Sequence, residues 1–127
     1  MRINPKQLAA IIALTGEERY QYFVKVVSDW QEVWGLYMEG WALAGTDDGA
    51  TVFPMWPAKE YAEACAENEW AGYEPKSFSL DELLNDLLPR LKSDGMLPGV
   101  FFVLSGKGVT PSVDQLALDI KVELQNY

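Results

Sequence analysis

Histidine is absent from this 127-residue chain, and cysteine occurs once, as Cys65. Without histidine the chain lacks the commonest general base, the commonest metal ligand and any Ser-His or Cys-His nucleophile pair. A lone cysteine forbids an intrachain disulfide. Small secreted domains usually carry several, so a reducing compartment, the cytoplasm, is the expected location. Cations are also scarce: 10 Lys and Arg stand against 19 Asp and Glu, a net charge of -9. The ten are scattered from Arg2 to Lys121, so no basic face is expected, which excludes the nucleic-acid backbone and anionic membranes as partners. No apolar run approaches the ~20 residues of a membrane span. Arg2 and Lys6 precede a short apolar run, Leu8 to Leu14, but Thr15-Gly-Glu-Glu18 offers no small-x-small cleavage site, so no secretion signal is expected. Linkers, repeats and low-complexity stretches are missing too. Residues 1–127 are expected to form a single domain, long enough to enclose a core without staples.

Aromatic residues are plentiful, with five Trp, six Tyr and five Phe. Three of the five Trp fall between Trp34 and Pro57, a stretch that reads as three short strands. These are Trp34–Met38, Trp41–Ala44 and Thr51–Trp56, with turns at Glu39-Gly40 and Thr46–Gly49. Pro54 cannot donate to a ladder, so the third strand should lie at an edge or end there. Before this block, Asn4-Pro5 starts a first helix, and the Thr15/Glu18 capping box starts a second with the stripe Tyr20, Phe23, Val24, Val27. After it, Trp56-Pro57 opens a helix with Tyr61, Ala62 and Cys65 on one face. Lys76–Ser79 reads as a short strand. The Ser79/Glu82 capping box starts a Leu-rich helix that Pro89 should kink. Val100–Leu104 reads as a buried central strand, and Thr110-Pro111 as the start of a last helix. The fold class expected is α+β: a mixed, mainly antiparallel sheet of about five strands with about five helices packed against it.

Motifs for familiar chemistries fail on spacing. Asp47-Asp48-Gly49 lacks the later ligands of a calcium loop and reads as a turn. Gly106-Lys107-Gly108 lacks the first glycine and the Ser/Thr of a phosphate loop, although two glycines and a lysine before a helix leave an anion as a candidate ligand. Glu60, Glu63 and Glu67 share a helical face that reads as solvated. Cys65 reads as a small core residue. No metal or cofactor is expected.

Several strings taken together resemble one family: Glu18-Arg-Tyr-Gln-Tyr-Phe, Trp34-Gly-Leu-Tyr, Gly40-Trp-Ala-Leu, Pro54-Met-Trp-Pro-Ala-Lys-Glu-Tyr-Ala-Glu, Trp70-Ala-Gly-Tyr-Glu-Pro and Leu88-Pro-Arg-Leu. They are similar to the bacterial domain-of-unknown-function 2750 family, over nearly the whole chain. The resemblance implies a small bacterial cytoplasmic domain and transfers no activity. The order of elements also bears a fainter likeness to the N-terminal domain of SseB-type proteins, at the level of architecture.

The aromatics exceed what a core of this size readily encloses. A contact surface is therefore expected from Trp41, Trp56, Tyr61, Trp70 and Tyr73, with Lys59 and Glu60 beside them and acids such as Asp47 and Asp48 at the rim. The first functional reading is a non-enzymatic protein-binding module, adaptor- or immunity-like, that meets a basic protein partner; self-association as a homo-oligomer stays open. The alternative is a small-molecule or anion-binding domain, or a carboxylate-based enzyme, with its cleft at the same aromatics and with Lys59 or Lys107 holding the ligand's charge.

Overall fold

The computed structural model describes residues 3–106 and 108–127. Lys107, at the centre of the Gly-Lys-Gly loop, lies outside the described residues. Chain order runs α1 (Pro5–Ile12), α2 (Gly16–Trp30), β1 (Glu32–Tyr37), β2 (Ala44–Gly45), β3 (Thr51–Met55), α3 (Lys59–Glu63), β4 (Glu74–Ser79), α4 (Leu80–Glu82), α5 (Leu88–Ser93), β5 (Leu97–Val100) and α6 (Val113–Leu124). A single 3-10 turn, Asn68–Trp70, follows α3, and a π-helical run, Leu83–Leu87, joins α4 to α5. The class is α+β, as the sequence indicates.

The helix starts follow side-chain chemistry. Thr15 accepts a hydrogen bond from the Glu18 N–H at 3.1 Å, while Glu18 accepts from the Thr15 N–H at 3.0 Å, completing the capping box of α2. Those bonds from Thr15 hold the Glu18 carboxyl below its ordinary range. Thr15→Ala is expected to lower the unfolding free energy by about 1 kcal/mol, read by urea denaturation. The Glu18 contribution has the acid-side sign: present above the ordinary carboxylate pKa, lost as pH falls through the lowered one. Ser79 and Glu82 repeat the box at α4. The last helix starts later than Thr110-Pro111 suggests, because Ser112 is the residue whose side chain accepts from the Gln115 N–H. Pro89 does not break the Leu-rich helix. It sits at the start of α5, directly after the π run, where the Leu88 N–H reaches back five residues to the Leu83 carbonyl. A widened turn there accommodates a residue that lacks an N–H.

The strands form two ladders. β1 runs antiparallel to β4, from Glu32↔Ser79 to Tyr37↔Glu74. β3 pairs with β2 antiparallel and with β5 parallel. A reciprocal bridge between Trp34 and Trp56, with N–H to O distances of 2.9 and 2.8 Å, ties the ladders together. Three expectations are corrected here. The return strand after Glu39-Gly40 is only a Tyr37–Trp41 bridge, and the long partner of β1 is β4. Pro54 lies in an inner strand; it is tolerated because the β2 ladder has ended at Val52 and the Trp34 bridge begins only at Trp56. Helix α3 stops at Glu63, so Glu67 does not share a helical face with Glu60 and Glu63.

The apolar run Val100–Leu104 is the largest departure. β5 ends at Val100, and Phe101 turns away with φ +63°. The parallel ladder and a hairpin compete for this segment. Phe101 still donates its N–H to Met55 O at 2.9 Å, yet Val100 bridges Val109 and Val103 bridges Gly106. A bulky residue in the left-handed region costs about 1–3 kcal/mol and persists only where packing over-determines it. The packing is evident: the fully buried Phe101 ring sits 4.8 Å from Tyr61 and 6.2 Å from Tyr22, centroid to centroid. The core on which all elements converge includes Phe23, Leu36, Met55, Trp56, Leu83 and Ile120.

Candidate functional site

The local turn at Phe101 has a consequence for Phe102. Its carbonyl faces the α3 side and accepts from Trp56 Nε1 at 2.9 Å and from Cys65 Sγ at 3.2 Å. Beyond it, the chain reverses at Leu104-Ser105, closed by mutual hydrogen bonds between Val103 and Gly106. Opposite, the Glu67–Trp70 segment makes its own tight turn. Asn68 takes a left-handed φ of +55°, and Trp70 N–H returns to Glu67 O at 3.0 Å. Between the two turns and the end strand β2 lies an open groove of about 410 Å³. Its floor is Trp70, Phe102 and Val103, nearly buried, with the Trp70 and Phe102 ring centroids 6.2 Å apart. One wall carries Leu104, which is 58% exposed. The other carries the exposed carboxylates Glu67 and Glu69. Those two are the charges among the described lining residues.

Cys65 also borders the groove but is not poised for chemistry. Burial pushes its thiol up from the ordinary 9.0 to about 11, and its S–H is held by a carbonyl. A nucleophilic cysteine needs the opposite shift. The native chain is expected to resist iodoacetamide at about pH 8 and to react readily once unfolded in urea, as mass spectrometry would record. The linkage has a definite sign. The thiol binds its proton more tightly in the folded state, so its contribution is full below the ordinary value and is lost as pH rises from 9.0 towards about 11.

The structure distributes the sequence-nominated residues over five places: the core, the groove, a second cleft, an aromatic cluster and the β2–β3 turn. Trp56 and Tyr61 lie in the core and do not form a surface; their size and their polar tips are accommodated internally. Trp56 donates to Phe102 O, and the Tyr61 hydroxyl meets the Tyr22 hydroxyl at 2.8 Å. Burial, then Tyr22, raises the Tyr61 pKa. Trp70 is the one that floors the groove. Lys59 and Glu60 sit at a separate, smaller cleft of about 210 Å³ with Trp30 and Trp34. There Lys59 pairs with Glu63 at 3.6 Å, and Glu60 Oε2 accepts from the Ile3 N–H at 3.4 Å. Half-buried Trp41 clusters with half-buried Tyr37 and Phe78 and with buried Phe53, and Lys76 stands 4.0 Å from the Tyr37 ring centroid. Tyr73 is half-buried and packs against the core. Asp47 and Asp48 lie in the exposed β2–β3 turn, next along the chain from the groove's β2 wall.

Sequence reasoning missed Glu67, Glu69, Phe102 and Leu104. A signal existed for the acids: Glu-Asn-Glu directly before a Trp, with the asparagine suited to left-handed backbone, marks a turn that presents both neighbours. The anion site anticipated at Gly106–Gly108 loses its premise. The helix it was to precede begins three residues later than Thr110, at Val113, and Gly108 is packed against the Val100 carbonyl. Among the described residues no group of three or more Cys, Asp or Glu is placed to hold a metal ion, and no helix is long and apolar enough to cross a membrane.

A family model described as a protein of unknown function, DUF2750, matches residues 20–120. No curated protein and no solved structure matches the chain.

Proposed function

Because the chain belongs to the DUF2750 family, whose description assigns no activity, we propose a function from the groove alone: a non-enzymatic protein-binding module of the bacterial cytoplasm that engages a basic partner through the groove between Leu104 and Glu67–Trp70. The observation that carries this reading is the pairing of an apolar floor with an acidic wall. Leu104, with the exposed edges of Trp70 and Phe102, offers apolar area that releases water on contact, and Glu67 and Glu69 select the sign of the partner's charge. The net charge of -9 extends that selection beyond the groove, steering a cationic partner towards the molecule. An enzyme reading has less support, since the groove's described lining offers two exposed surface carboxylates and a thiol whose pKa moves away from neutrality.

The test is affinity capture from the native cytoplasm with the wild-type chain beside a triple variant, Leu104→Asp with Glu67→Gln and Glu69→Gln. All three side chains are exposed, so the variant is expected to fold, which circular dichroism checks. Loss of a basic protein from the variant's eluate is the expected result. Identical eluates from two folded proteins would overturn the reading.

A further inference from the structure

We infer that the groove takes an extended peptide segment in which an apolar side chain is followed closely by Lys or Arg. This inference rests on the binding-module reading above and adds the chemistry and shape of what is bound. The shape argument comes from the walls. The groove is bounded on one side by the two-residue reversal at Leu104-Ser105 and on the other by a single 3-10 turn, and closed at one end by the two-residue strand β2. The described lining is two short turns and a two-residue strand, so it offers contact to a few residues of chain and not to the several turns of a docked helix. The volume of about 410 Å³ falls in the lower part of the range of about 300–1,000 Å³ that accepts a small ligand or a few residues of chain.

The chemistry argument comes from where charge and apolar surface lie. Trp70 and Phe102 form a tilted pair, 42° between planes, so the floor is a shallow apolar notch suited to one aliphatic or aromatic side chain. Leu104 covers that side chain from one wall. Glu67 and Glu69 flank Asn68 on the other, and the left-handed Asn68 fixes the turn from which they project. Neither carboxylate has a hydrogen bond or ion pair within the described chain. A bound segment therefore meets apolar surface and exposed negative charge within a few residues of each other. A free amine would satisfy the carboxylates but leave the notch empty. An uncharged apolar peptide would fill the notch without using the charge.

The experiment is a titration of the full chain, isotopically labelled, with short synthetic peptides read by backbone amide shifts. One peptide carries a Leu-Lys-Lys centre, the second replaces Leu with Ser, the third replaces both Lys with Glu, and n-butylamine serves as the small-amine probe. The expected result is saturable shifts within residues 65–70 and 102–106 for the first peptide. Binding should be about tenfold weaker for the second and third, and likewise about tenfold weaker for the first peptide against the Glu67→Gln/Glu69→Gln variant. Added salt should weaken the first peptide's binding to wild type more than to the variant. Equal binding of all three peptides, shifts elsewhere on the molecule, or n-butylamine matching the first peptide in affinity at the same amides would overturn the inference. Failure here is separable from failure of the binding-module reading. If the triple variant loses its captured partner while no peptide binds, the partner docks through a folded surface, and only the extended-segment inference falls.

Discussion

Gly108→Ala is expected to destabilise the fold by about 3 kcal/mol or more, a drop in melting temperature of about 10 °C. A Cβ at this position would stand 2.0 Å from the Val100 carbonyl oxygen, 2.7 Å from its carbon and 2.9 Å from the Phe101 carbonyl carbon. All three are backbone atoms, which cannot swing aside as a flexible side chain can. Relief requires moving the segment around Gly108 away from β5, which breaks the Val100–Val109 bridge and its bonds of 2.7 and 3.1 Å. It also disturbs Phe101, whose left-handed backbone is held by that same crossing and by the ring contacts to Tyr61 and Tyr22. Gly106→Ala is the control: an added Cβ there meets nothing within 4 Å, and its cost should stay within about 0.5 kcal/mol. Calorimetry of the two variants checks the pair. Equal melting temperatures would mean that Gly108 does not make this crossing.

Trp56→Ala should cost about 3–5 kcal/mol, the loss expected for a large aromatic deleted from a packed core. The Trp56 side chain is fully buried, packs edge-on against Trp70 at 6.0 Å between centroids, and makes the Nε1 bond to Phe102 O. Trp56→Phe separates the parts. It restores most of the volume and leaves Phe102 O with Cys65 Sγ as its side-chain donor, so about 1–2 kcal/mol is expected. Trp30→Ala, at a side chain 54% exposed, should fall within about 0.5 kcal/mol. Urea unfolding with an unchanged m-value measures all three. A Trp56→Ala cost near that of Trp30→Ala would contradict the assignment of Trp56 to the core. The same burial makes Trp56 unsuitable as a probe of binding, because its removal damages the fold before it tests a surface.

These two variants lie on either side of what the sequence made legible. The capping boxes at Thr15 and Ser79, the stripe of α2 and the α+β class were readable because each depends on residues three or four apart. A chain reversal at Glu39-Gly40 was readable too, although it spans residues 38–40 between the bridged Tyr37 and Trp41 and leads into no return strand. The partner strand of β1 was not, because β1 pairs with β4, some forty residues later in the chain. Val100–Leu104 misled because composition signals burial without telling strand from loop. Phe101, Phe102 and Val103 are indeed buried, yet their ladder ends at Val100. The groove was half legible. Trp70 stood out as an aromatic in a turn-rich stretch, whereas Leu104 gained meaning only from the reversal that lifts it into solvent. Counting aromatics overstated the surface, since Trp56 and Tyr61 find partners for their polar tips inside the core.

If the groove is the docking site we propose, the Leu104 side of the molecule is the one that meets a partner. A photo-crosslinking residue placed at Leu104, beside the same residue placed at the equally exposed Leu118 on α6, tests it in living cells. A discrete adduct to a basic protein is expected from position 104, absent from 118, and lost when Glu67→Gln and Glu69→Gln are added. An adduct from 118 with none from 104, or one from 104 that is indifferent to the two carboxylates, would contradict it.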